Sequence, residues 1–170
     1  MAAGKVLVLI GALLTLVSTF FFAFFHVVGD VYGSGIGFIF NIPEIMADAA
    51  TIATFIGTEV MIVYIVTIVF IVFLLSGVLQ LIGLINRVVA LIGAIIALGV
   101  GILMMLIMWD LLPDYNMYTI LLVNNAIIDG IWPLHVPVGS FALGTVSLGT
   151  YTLVAGGALS FIGGIIGVKD

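Results

Sequence analysis

Four apolar runs, Val6–Val28, Val60–Ile85, Val88–Met108 and Phe141–Val168, occupy more than half of the chain. A helix rises 1.5 Å per residue and needs roughly 20 residues to cross about 30 Å of hydrocarbon, so each run is long enough to span a bilayer. Strands of a membrane barrel would be roughly 10 residues long and alternate apolar with polar side chains. Nothing here alternates in that way. Only 6% of the residues are charged and 65% are hydrophobic, where a soluble domain carries about 25% charge. There is too little polar surface to coat a globule in water. The expected fold is an all-α integral membrane protein, a single domain over residues 1–170. Its four transmembrane helices form two antiparallel hairpins, with structured outer loops at 29–59 and 109–140.

The charges give the expected orientation. Of the three basic residues, Lys5 precedes the first run, Arg87 separates the second from the third, and Lys169 follows the fourth. Asp30, Glu44, Asp48, Glu59, Asp110, Asp114 and Asp129 fall in or beside the alternate connections. Basic residues are retained on the cytoplasmic side of a membrane. Both termini are therefore expected in the cytoplasm of a protein integral to the cell membrane, with the acidic loops outside. Net charge is −5, which makes nucleic acid an unsuitable partner; the lipid bilayer is the one partner that composition dictates. The first run far exceeds the roughly 7–15 residues of a signal-peptide core and reads as a retained helix.

An internal similarity runs through the cytoplasmic ends. Lys5 to Leu16 aligns without a gap with Arg87 to Leu98, and half of the positions are identical. Duplication of a hairpin would produce this, as would convergence of two helices drawn from few residue types. Between the second and third runs only Asn86 and Arg87 intervene, so those helices are expected to be adjacent and antiparallel.

The outer connections are about 30 residues each, long enough to require structure of their own. In the first, the glycine-rich Gly29 to Gly37 reads as a turn, and Pro43 opens a short interfacial helix through Glu44 and Asp48, proline being favoured at a first helical position. In the second, Tyr118 to Val123 is apolar and β-branched, Asn124-Asn125 interrupts it and Ala-Ile-Ile follows, a pattern that fits a short β-hairpin with an Asn-Asn turn or a short amphipathic helix, the hairpin being preferred. Ile131 to Pro137, with two prolines, reads as extended, and Trp132 as an interface marker.

Candidate sites are few. Small residues recur every four positions at Gly156, Ser160 and Gly164 in the fourth run, and at Gly93, Ala97 and Gly101 in the third. Such stripes let helix backbones approach closely, either inside one bundle or at an interface with another subunit or a second copy. Glu59 would be an ion or proton site if embedded in hydrocarbon and a boundary marker if the helix starts at Val60. If the first helix persists past Gly29, His26 and Asp30 share a face and could pair or hold a metal; if it ends there, His26 is an interfacial histidine. Asp110 and Asp114 fall short of the six or more oxygens that calcium takes, and His26 with His135 as haem ligands is a remote alternative. No cofactor is called for. Cysteine is absent, which removes disulfides and thiolate metal sites. Gly-x-Ser-x-Gly, His-Glu-x-x-His and the phosphate-binding loop are also missing.

The outline, four helices with larger outer loops, is similar to that of claudins and tetraspanins. The paired cysteines of the one and the Cys-Cys-Gly of the other have no counterpart, so no residue role is carried over. The function expected is that of a non-catalytic structural, accessory or assembly subunit of a membrane complex, packing through glycine-rich helix faces. A small self-associating transporter or channel is the alternative, and a membrane anchor for a redox complex the third.

Overall fold

The computed structural model describes residues 3–26, 31–112, 127–129, 133–141 and 144–167. Among the described residues three helices are each long and apolar enough to cross a membrane: α1 (Ala3–Phe20), α6 (Arg87–Met108) and α7 (Leu148–Ile166). Two bent pairs accompany them. Helices α2 (Gly35–Ala47) and α3 (Ala49–Ile56) meet at 92°, and α4 (Val60–Leu74) and α5 (Ser76–Ile82) at 45°.

The chain is mostly helical but not all-α. Five short strands, β1 (Phe25–His26), β2 (Val31–Gly33), β3 (Ile127–Asp129), β4 (Pro137–Phe141) and β5 (Gly144–Ser147), form one antiparallel sheet in the order β3-β2-β1-β5-β4. Two of the expected spans shorten to make it. The first run leaves the helix at Phe20, and Phe21 to His26 becomes extended because aromatic side chains suit a half-buried pleated surface. Main-chain bonds from Ala23 N to Leu134 O (3.0 Å), Phe24 N to Gly33 O (2.7 Å) and Ser147 N to Phe24 O (2.9 Å) hold it there. In the fourth run, residues 141 and 144–147 are strand, and the helix starts only after Ser147. Near the sheet the two shortened spans meet again, Thr150 Oγ1 donating to Phe24 O at 2.7 Å.

The first loop also differs from expectation. Its helix begins at Gly35, with Ser34 as N-cap accepting from Gly37 N at 3.0 Å, a common solution for the unpaired amides of a first turn. Pro43 lies inside α2 instead of opening it. Gly35, the first helical residue, packs directly on α1, where a side chain would strike Thr19. The expected Asn124-Asn125 turn lies outside the described residues, as does Trp132. The segment that follows that turn supplies β3, which pairs with β2.

Packing departs from two separate hairpins. α1 lies antiparallel to α7 along its whole length: Gly4 sits against Gly163 and Gly167, Gly11 against Gly156 and Ser160, and Ala23, beyond the helix, against Gly149. α6 flanks the other side of α7, with Leu91, Leu98 and Val154 filling the spaces beside Gly164, Gly157 and Gly101. α5 packs antiparallel to α6, and Gly77 of α5 fits against Leu16 of α1. The main apolar core lies between these helices and the sheet. Phe24, Phe25, Phe38, Phe70, Phe73, Met104, Ile107, Val146 and Leu153 are all buried there, and the Phe38 and Phe70 rings stack at 4.2 Å. It is the joint that fixes the sheet to the bundle.

Candidate functional site

Two constellations emerge, one inside the bundle and one on the sheet. The first centres on Gln80, the chain's single glutamine, which is fully buried on α5. Its Oε1 accepts from Ser160 Oγ of α7 at 2.7 Å and from Thr15 Oγ1 of α1 at 3.2 Å, while its Nε2 donates to Gly93 O of α6 at 3.2 Å. One side chain thus ties four helices together. Ser160 Oγ also lies 3.3 Å from Val8 O. Further along the α1–α7 seam, Ser18 Oγ lies 2.6 Å from Thr152 Oγ1, and Thr19 Oγ1 donates to Thr15 O at 2.8 Å. Ser76, one turn before Gln80, has a buried hydroxyl without a hydrogen-bond partner. Among the described residues every fully buried polar side chain is neutral, which matters because an unpaired charge there would be very costly.

One glycine of each stripe leaves room for this cluster. A Cβ on Gly156 would lie 2.7 Å from Thr15 Oγ1 and 2.8 Å from Gly11 O, and one on Gly93 would lie 2.7 Å from Ser76 O and 3.0 Å from Gln80 N. Gly156, Ser160, Gly164, Gly93, Ala97 and Gly101 are all buried against this chain's own helices. Their surface is spent on packing within the bundle. Gly11 and Gly93, equivalent positions of the internal similarity, both face the cluster.

Glu59 lies at the N-cap of α4 and is exposed; its helix starts at Val60. His26 is on β1 rather than on a helix, so the helix face it was expected to share with Asp30 does not form, and Asp30 itself lies outside the described residues.

The sheet carries the second constellation. Antiparallel pairing sets His26 opposite Tyr32, with ring centroids 5.1 Å apart. Leu134 is tied to Phe21 and Ala23 by two main-chain bonds of 3.0 Å, and this carries the next residue, His135, onto the same patch. Its ring stands 5.1 Å from His26 and 5.3 Å from Tyr32. Ser147 Oγ, 3.2 Å from both the N and the O of Val136, fixes the backbone on the other side. His135 Nδ1 is buried and lacks a hydrogen-bond partner. Burial, and then the neighbouring His26, hold its pKa below the ordinary histidine range.

Gln80 did not stand out in the sequence, and of the sheet trio only His26 and His135 were weighed, as metal or haem ligands, while Tyr32 was not. A lone amide inside an apolar run was the available signal for the first. For the trio the two histidines were the available signal, and Tyr32 had none, since the three come from segments that only strand pairing and the main-chain bonds of Leu134 bring together.

The fold and these sites define a helical bundle with membrane-length helices and an antiparallel sheet at one end. No protein-family model, curated protein or solved structure matches the chain.

Proposed function

We propose that this chain is a non-catalytic integral membrane scaffold, an accessory or assembly subunit that holds its small sheet outside the bilayer for a partner. The observation that carries the reading is the bundle interior. It is closed by backbone-to-backbone contacts at Gly4, Gly11, Gly156 and Gly163 and by a neutral network around Gln80. A conduit for ions or protons ordinarily needs a series of ionisable or hydrated groups along its path, and the described interior offers none.

The outward faces suit hydrocarbon. Ile10, Leu13 and Val17 on α1, Met61, Ile65 and Ile68 on α4, Ile92, Ile95 and Ile102 on α6, and Ile162 and Ile165 on α7 are all exposed. Lys5 and Arg87 stand at the end away from the sheet, where Val8 and Ala90 pack together, whereas Asp110 follows the sheet-proximal end of α6, where Met104, Ile107 and Met108 join the core beneath the sheet. The positive-inside preference supports a reading with the sheet on the outer side. On α2 and α3, Phe40 and Phe55 are exposed, as are Glu44 and Asp48 near the bend. That mixture fits the headgroup boundary.

Two measurements on the full chain test this. Gentle extraction from native membranes is expected to yield a particle containing a fixed set of other membrane proteins. Purified chain in liposomes is expected to pass potassium and protons no faster than empty vesicles do. A flux that Glu59→Gln abolishes would overturn the scaffold reading in favour of a pore.

A further inference from the structure

We propose that His26, His135 and Tyr32 form a binding site for a divalent late first-row transition ion, with the two imidazoles as nitrogen ligands and the phenol as an oxygen ligand. Ring spacing is the first argument. Metal–imidazole bonds are about 2.0–2.1 Å, so two imidazoles at a tetrahedral angle on one ion place their ring centres about 5 Å apart. His26 and His135 stand at 5.1 Å. The buried Nδ1 of His135 has no hydrogen-bond partner. Buried polar atoms are almost always paired, and a ring nitrogen left unpaired beside a second imidazole has the donor character such an ion requires. An imidazole commits only one nitrogen to a metal and ordinarily uses the other on a neighbouring group. The Tyr32 ring packs 5.1 and 5.3 Å from the two histidines, which makes its phenol oxygen the third donor of the proposed set.

The scaffold is suited to the task. Strand pairing fixes His26 and Tyr32 opposite each other, and the bonds of Leu134 and Val136 clamp His135 on both sides. Ligands held by sheet hydrogen bonds lose little freedom on binding. Imidazole with an oxygen donor selects copper and zinc over magnesium or calcium, which prefer oxygen alone. Ion binding here is independent of whether the scaffold reading holds.

Copper(II) titrated into the purified full chain in detergent micelles, followed by electron paramagnetic resonance, is the test. One ion per chain is expected, with hyperfine structure from two imidazole nitrogens. His26→Gln and His135→Gln should each weaken binding at least about tenfold and leave a one-nitrogen pattern. Tyr32→Phe should weaken binding while keeping both nitrogens. Circular dichroism on each variant establishes that it is folded. If a histidine variant does not fold, carbethoxylation of the imidazoles in the folded wild-type chain replaces it: modification should abolish binding, and prior copper should protect the rings. Failure of the wild-type chain to bind copper at micromolar concentration overturns the proposal. So does binding that is unchanged in both folded histidine variants, or unchanged after carbethoxylation.

Discussion

Replacing Gly11 with leucine is expected to prevent stable pairing of α1 with α7, with loss of the folded state in micelles. Gly11 is the point where the two helices come closest around the polar cluster. Even a Cβ there would lie 2.5 Å from Gly156 O and 2.7 Å from Ser160 N. Both are backbone atoms, and neither can move without shifting a helix. Overpacking a core ordinarily costs about 1–3 kcal/mol, and Gly11→Ala should fall at the upper end of that range. The leucine must push the helices apart by most of a side-chain width, which also breaks the Ser160 and Thr15 bonds to Gln80. Gly99 provides the control. It too lies in a long helix, α6, but it is exposed and a Cβ would meet nothing within 4 Å. Gly99→Ala should be neutral or stabilising by up to about 1 kcal/mol, the helix-propensity gain alone. Denaturant unfolding in micelles, followed by circular dichroism, measures all three. Equal stability of Gly11→Ala and Gly99→Ala would show that the α1–α7 contact is not close.

The sequence reveals its long helices because lipid imposes a simple rule on composition and length. Val88–Met108 is nearly the α6 that forms, since Asn86 caps its start, accepting from Val88 N at 3.0 Å, and Trp109 ends it. Where apolar residues serve two purposes the rule fails. Phe21 to Phe25 is as hydrophobic as any helix in the chain, yet it is drawn into the sheet by pairing with Gly33, Leu134 and Ser147. Hydropathy cannot register those partners. Phe141 and Gly144 to Ser147 were absorbed into the fourth run for the same reason. Pro43 misled differently: proline is favoured at a helix start, yet it lies inside α2 at the loss of a main-chain hydrogen bond, and Ser34 had the stronger claim because its hydroxyl could reach Gly37 N. The small-residue stripes were legible as close-packing surfaces. Which helix each stripe would meet was not, because spacing specifies a face and not its neighbour.

Gln80→Ala should destabilise the chain by about 3–4 kcal/mol, and the way that loss divides is informative. Removing a large buried side chain leaves a cavity, which costs about 2–5 kcal/mol in a core that cannot collapse. The rigid glycine contacts around Gln80 leave little room for collapse. Gln80→Leu restores most of the volume and isolates the polar contribution. Thr15 and Ser160 then lose their shared acceptor and Gly93 O loses its donor. Thr15 can turn to a carbonyl of its own helix, and Ser160 has Val8 O at 3.3 Å. Side-chain hydrogen bonds between membrane helices average about 0.6 kcal/mol and reach about 1.7. The leucine variant should therefore lose only about 1–2 kcal/mol, and its coupling with Ser160→Ala in a double-mutant cycle should be about 1 kcal/mol. The larger consequence is for register. Apolar helices lined with glycine and alanine can slide by one turn with little penalty, whereas a buried amide that must reach α1, α6 and α7 together permits one alignment. Gln80→Leu should accordingly broaden or multiply the methyl resonances of Val8, Leu16 and Leu91 while helix content stays constant. A single sharp set at wild-type positions would mean that shape alone fixes the alignment, and that the glutamine contributes stability without specifying the fold.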